Sequence, residues 1–369
     1  MKLRNILARI AVLLFCIVLL LIILEGGLRL WFWTRGTEHE RAMYVYDHAT
    51  VDARVFLGVP FLNYTLNPND SDINKLGFRG ALVPIQKPQG VFRIVTLGGS
   101  ETFGVGLSVN ETWPYQLENL LRTQYGYHNV EVVNLGVPAY YSLNSVVNLA
   151  IHGLALEPDL VINYDSINDA VVSIYQDPAC YNSQTPLFGM GMDQGSWQLS
   201  TNNFPASTLY RFLAIHFGWM QDPSTFTSHS VQTGLCPPEP ADGNFSERLS
   251  KNRLVYFERN LRSIAALAQS ERARILLTTF AWDTAAARKE LAANQSLDGT
   301  RALLTAIDEQ NALVPVIAKD TGALFVDFTS SMADSGYFQG DHVHQTVQGA
   351  RKQAEILATY LDAQGVIPK

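Results

Sequence analysis

The stretch from Val95 to Gly106, VTLGGSETFGVG, sets the problem: a serine flanked by glycines closes an apolar run. Such a serine can belong to a phosphate cradle, to a plain turn, or to a catalytic loop. The phosphate readings fail on spacing, because no Lys-Ser or Lys-Thr pair closes a P-loop and Gly98, Gly99, Gly104 and Gly106 miss the dinucleotide interval. Turn and nucleophile remain, and the flanking sequence has to separate them.

Outward from Ser100 the pattern is regular. VFRIVTL before it reads as a buried strand, and ETWPYQLENLLRTQYG after it reads as an amphipathic helix with Leu117, Leu120 and Leu121 on one face. VEVVNL, DLVINY, ARILLTTF and ALFVDF read as further strands. SLNSVVNLAIHGLAL, LVYFERNLRSIAALAQS, TRALLTAIDEQNALVPVIAKDTG and TVQGARKQAEILATYLDAQG read as helices, the third with a kink expected at Pro315. Strands alternating with helices of this length predict an α/β domain with a parallel sheet covered on both faces.

Two regions fall outside that rhythm. Residues 34–90 are rich in Asn, Pro and Gly and read as an irregular extension laid over the main domain of residues 91–369, ending in the turn Lys87-Pro88-Gln89-Gly90. Residues 171–250 lack strong periodicity apart from STLYRFLAIHFGW, a helix, and exceed an ordinary connection; they read as an insertion placed as a lid near the site.

The 369 residues are 47% hydrophobic and 17% charged, enough for a large core and without a sign of disorder. The net charge is −7 with dispersed basic residues, which argues against a nucleic-acid surface, since phosphate binding needs clustered cations.

The first 33 residues carry an apolar run from Ile10 to Leu24, extended on both sides and followed by Trp31, Phe32 and Trp33. Roughly 20 apolar residues cross a bilayer, and aromatic residues favour its interface. No small-residue cleavage site follows, so an uncleaved membrane anchor is expected rather than a signal peptide. Lys2, Arg4 and Arg9 are matched by Arg29, Arg35 and Arg41; the short leading tail favours a cytoplasmic amino terminus and an exported body. There Cys180 and Cys236 are either a candidate disulfide or two core thiols.

In an open parallel sheet, ligands bind beyond the carboxyl ends of the strands. Ser100, Gly136, Asn168 with Asp169, and Asp341, His342 and His344 all follow predicted strands. These are the parts acyl transfer needs: a hydroxyl, an imidazole to take its proton, a carboxylate to fix the imidazole, and donors for an oxyanion. Ser100 N–H, Gly136 N–H and the Asn168 amide are the candidate donors. Tyr140 and Tyr141 are either pocket residues able to stack on a sugar ring or aromatic core.

The ordered set GGSETFG, NLGVPAYYS, SINDA and DHVHQTVQG resembles the four blocks of the SGNH, or GDSL-type, hydrolases over residues 91–365. NKLGFRG with an amino-terminal anchor resembles the membrane-attached bacterial members associated with surface-polysaccharide modification. The resemblance implies a flavodoxin-like α/β/α sandwich without a cofactor. It makes Ser100 the nucleophile, Gly136 and Asn168 oxyanion-hole residues, His344 the base and Asp341 its orienting carboxylate. Gly99 stands where the family has Asp, and Ser166 where it has Gly.

The expected function is therefore a serine esterase removing an acyl group, acetyl foremost, from an extracytoplasmic carbohydrate, in the company of polysaccharide-assembly proteins. An O-acetyltransferase using the same acyl-serine is the nearest alternative. A non-catalytic binding protein on the same fold, and a metal-dependent hydrolase using His342, His344 and nearby aspartates, rank below it; the expected site holds no metal.

Overall fold

The computed structural model describes residues 2–36, 44–45, 56–58, 62, 64–68, 70–175, 207–217, 219, 244–252 and 254–368. The chain divides into two compact units, Met1–Gly58 with Ser183–Val231, and Val59–Asn182 with Gln232–Lys369. Cys180 and Cys236 lie outside the described residues, as does most of the 171–250 stretch.

In the first unit the leading apolar run forms one helix, α1, Lys2–Arg35. Its segment Ala8–Arg35 is long and apolar enough to cross a membrane. The large apolar side chains from Val12 to Leu24 are exposed all round, so this part of the helix lays no single stripe on a core of the described residues. The outer part is tied into the unit. The Glu25 carboxylate accepts hydrogen bonds from Ser207 Oγ (2.8 Å), Thr208 N (2.9 Å) and Leu209 N (2.8 Å), and from Arg29 Nε at 2.6 Å. The first three open the helix Thr208–His216, whose leading N–H groups have no partners within the helix. Phe32 stacks on Tyr44 with centroids 4.5 Å apart, and Phe212 packs against both rings.

The second unit is built on a five-stranded parallel sheet: β1 Phe92–Gly98, β2 Val130–Asn134, β3 Leu160–Tyr164, β4 Arg274–Thr278 and β5 Leu324–Val326. The strand order is β2-β1-β3-β4-β5, with Val95 paired to both Val133 and Val161, Val161 to Ile275 and Leu277 to Phe325. That is the flavodoxin-like order, and it places the reversal of winding between β1 and β3, beyond which ligands bind. Every strand expected from the sequence is present.

Helices cover both faces. A short helix α2, Ser100–Phe103, leaves β1 and is followed by α3, Trp113–Thr123; α4, Ser142–Asn148, follows β2, and α5, Ile167–Tyr175, follows β3. α6, Val255–Ser270, leads to β4; α7, Asp298–Thr321, leads to β5; α8, Val347–Ala363, closes the unit. Leu117 and Leu121 of α3 join Leu357 and Leu361 of α8 and Ile94, Leu160 and Leu276 of the sheet in one core. Val95, Leu97, Val161 and Leu277 face the other way, into a core with Leu149, Leu261 and Ile264. The result is the expected three-layer α/β/α sandwich.

Pro315, the expected kink site, lies inside one continuous helix. α7 continues through it because both halves are held, Leu304 and Ile307 in the first core and Val314 and Ile317 in the second. That packing outweighs one missing N–H donor. α4 runs on through a π-turn, Leu149–Gly153, and a 3-10 turn, Leu154–Leu156.

Candidate active site

Ser100 is the first residue of α2, directly beyond the carboxyl end of β1, and is 5% exposed. A four-residue helix leaves its last carbonyls open, and Arg79 of the NKLGFRG stretch closes them. Its guanidinium donates to Phe103 O (2.7 Å), Gly104 O (2.8 Å) and Leu107 O (2.6 Å), pairs with Asp72 at 3.2 Å and lies 4.1 Å above the Phe103 ring. A cation at a helix carboxyl terminus also complements the dipole. Asn134, the last residue of β2, holds the same helix from another side by donating from Nδ2 to Thr102 O at 2.8 Å.

Asn134 also engages Gly136, one of the expected oxyanion donors. Its Oδ1 accepts the Gly136 N–H at 2.9 Å, so that donor is committed inside the fold. Gly136 is needed for a different reason: a Cβ there would stand 2.4 Å from Phe103 N and 2.7 Å from Thr102 C, so only glycine lets this turn lie against α2. Three residues on, Ala139 adopts a left-handed φ of 64°, costly for a residue with a Cβ. Its N–H donates to no backbone acceptor among the described residues. Nothing in the identity of an alanine announces such a conformation.

Asn168 sits in the first turn of α5 and donates from Nδ2 to Tyr140 O at 2.7 Å, which leaves the second amide hydrogen available. The unusual Ser166 before it is buried, with its Oγ 2.6 Å from the amide of fully buried Gln310 on α7, so the turn carrying Asn168 is anchored. Tyr140 and Tyr141 do not offer ring faces to a ligand. They are 1% and 5% exposed, and Tyr140 donates its hydroxyl to Tyr64 O at 2.5 Å while its ring packs on Tyr64. The core reading of these two residues is the correct one.

The imidazole comes from the loop between β5 and α8. His344 Nδ1 is 2.6 Å from Asp341 Oδ2, and Asp341 Oδ1 accepts the N–H groups of Val343 (3.0 Å) and His344 (2.9 Å). Partial burial pushes the Asp341 pKa up, but the hydrogen bonds from His344 and these two N–H groups outweigh it and hold the carboxyl below its usual range. An ionised Asp341 fixes the tautomer with the proton on Nδ1. The opposite atom, Nε2, is buried without a hydrogen-bond partner. Gln339 stitches this loop to the segment after α2, donating from Nε2 to Val105 O at 2.9 Å. His342 turns elsewhere, with Nδ1 3.8 Å from Asp283. Among the described residues no three His, Cys, Asp or Glu side chains gather as a metal site requires.

Glu101 is the other residue that sequence reasoning passed over. It follows Ser100, is 3% exposed, and its carboxyl faces the Ser100 side chain. Burial raises its pKa, and the nearby His344 offsets this in part. Behind the site, burial also raises the pKa of Asp165 and of Asp169, the latter further through the charge of Asp165. Asp169 accepts from Ser142 N at 2.9 Å and Ser142 Oγ at 2.5 Å, which ties α5 to the start of α4.

No family model and no curated protein sequence matches the chain. Among solved structures it is similar to a lipolytic protein of the G-D-S-L family from Desulfitobacterium hafniense DCB-2, at 14% identity and a TM-score of 0.41 over 72% of this chain and 98% of that one. It is similar to TesA at 14% identity and a TM-score of 0.43, covering 74% and 99%. A variant of Axe2, an acetyl xylan esterase from Geobacillus stearothermophilus, matches at 16% identity and a TM-score of 0.43, covering 73% and 93%. These likenesses are remote, and the functional reading rests on the geometry above.

Proposed function

We propose that this chain is a membrane-tethered serine esterase that works through an acyl-enzyme and removes acetyl groups from an extracytoplasmic carbohydrate. The observation that carries the reading is the His344 imidazole. Asp341 holds its Nδ1, and its Nε2 is buried with no hydrogen-bond partner, free to accept a proton.

In this reading Nε2 takes the proton of Ser100 Oγ as that oxygen attacks the ester carbonyl carbon. The carbonyl oxygen becomes an oxyanion, stabilised by the Ser100 N–H at the start of α2 and the Asn168 amide. Each such donor contributes on the order of 3 kcal/mol. Collapse breaks the ester bond, and the leaving alcohol takes the proton from Nε2. Water then attacks the acyl-serine by the same route and releases the acid and Ser100. The burial of Ser100 favours the smallest acyl group, acetyl. α1 supports action at a membrane, with the short leading tail inside and the sheet unit outside.

The test is Ser100→Ala in the detergent-solubilised full chain, assayed on nitrophenyl esters graded by acyl length and with a fluorophosphonate label. The variant is expected to lose labelling and about 10⁵-fold in kcat, and the unmodified chain to prefer acetate. Hydrolysis or labelling that survives the substitution would overturn the assignment; a preference for long chains would overturn the acetyl specificity.

A further inference from the structure

The proton relay leaves Glu101 without a task, yet the chain goes to some length to bury it. Its carboxyl lies at the start of α2, facing its own N–H and the Ser100 side chain, and Oε1 is buried with no hydrogen-bond partner. Room for it exists because residue 99 has no side chain. A Cβ on Gly99 would stand 3.2 Å from Glu101 Oε2 and 2.8 Å from Asn168 Nδ2. The carboxyl and the amide thus converge beside the residue that precedes the nucleophile.

The titratable groups whose charge bears on Glu101 are His344 from the loop before α8, and Asp165 and Tyr164 from the end of β3, beside its own N–H and the Ser100 hydroxyl. None of them is a permanent cation. A buried carboxylate with an unpartnered oxygen and no fixed positive charge is strongly disfavoured, and such a group keeps its proton instead. A neutral carboxylic acid has an O–H to donate, and an apolar setting can maintain it in that form at neutral pH. The donor set has a place for it, because the Gly136 N–H is bound to Asn134.

We infer that Glu101 acts as a neutral carboxylic acid in the oxyanion pocket, donating a hydrogen bond beside Asn168 to the ester carbonyl oxygen as that oxygen gains negative charge. The inference rests on the serine-esterase reading and deepens it. Glu101 transfers no proton: its O–H bond persists through attack and collapse, while His344 alone carries the serine proton to the leaving alcohol. Once alkaline pH ionises Glu101, the donor becomes an acceptor carrying like charge, and kcat falls.

The experiment compares the full chain with Glu101→Gln and Glu101→Leu on nitrophenyl acetate, recording kcat, KM and pH profiles, with Ser100→Ala and fluorophosphonate labelling alongside. Glutamine keeps a donor of the same reach and cannot ionise. It is expected to hold kcat within about threefold at neutral pH and to lack the alkaline fall. Leucine is expected to lose about 10²-fold in kcat with KM little changed. Wild-type kcat in the leucine variant, a glutamine variant as slow as leucine, or an alkaline fall that survives in the glutamine variant would each overturn the role of Glu101. Absence of Ser100-dependent labelling and turnover in the unmodified chain would instead overturn the esterase reading beneath it.

Discussion

Ser100 stands on a helix of one turn wedged among strand ends, held by Arg79 at its last carbonyls and by Asn134 on its flank. His344 stands on a loop, and its orienting partner Asp341 is three residues away with about half of its side chain in solvent. The first half of the site is therefore a product of the whole sheet unit: residues 79, 134, 136 and 168 come from three separate segments, and Arg79, Asn134 and Asn168 each donate to backbone carbonyls of another. The second half is local, needing one carboxylate, two N–H groups and the Gln339 clamp. Activity and stability should be coupled in the first half and separable in the second.

The sharpest test of that contrast is Asp341→Asn. The amide disfavours the Nδ1–H tautomer without disturbing the core, so kcat should fall by about 10³–10⁴-fold, while the melting temperature moves by no more than about 3 °C. A large loss of thermal stability would show that the loop is not local at all. Gly136→Ala should act the other way, because the new Cβ meets Phe103 N at 2.4 Å. We expect a loss of about 2–4 kcal/mol in chemical denaturation, together with about 10²-fold in kcat as α2 shifts. An alanine variant with unchanged stability would break the link between the core and the nucleophile.

The smallest effect concerns the buried carboxyls behind the site. Burial raises the proton affinity of Asp169, and the charge on Asp165 raises it further. A carboxyl whose folded pKa exceeds its unfolded value binds more protons in the native state. Stability therefore falls as pH climbs from about 4 toward the folded pKa, by at most about 1.4 kcal/mol per pH unit for one proton. Asp169→Asn should flatten that slope in unfolding measurements across this window. An unchanged slope would mean that Asp169 is ionised in the native state throughout.

The same contrast explains what could be read in advance. The five strands were legible because both faces of the sheet are covered, so each strand is built mostly of apolar residues. Asp341 and His344 were legible because their partnership is local in sequence. The supports of Ser100 were not. Arg79 and Asn134 act by long-range hydrogen bonds to backbone, and no local pattern announces a side chain that serves a distant carbonyl. Nor does a strand-end glycine such as Gly136 show in sequence whether it donates its N–H to a ligand or makes room for a neighbour, as the close approach to Thr102 and Phe103 requires here. The helix Ile167–Tyr175 carries INDAVVSIY, buried on nearly all sides, so it showed no amphipathic period over its second half. Glu101 drew no reading at all, because nothing in GGSETFG marks its side chain as buried.

The contact at Glu25 has a practical consequence for anyone wishing to handle this protein in water. Trimming the chain after residue 33 would remove more than a greasy leader. The helix Thr208–His216 would lose the carboxylate that closes its leading end, and Tyr44 and Phe212 would lose Phe32. A truncated version starts with an open helix end and two stranded aromatic rings. Detergent or nanodisc preparations of the intact polypeptide are the better starting material for biochemistry.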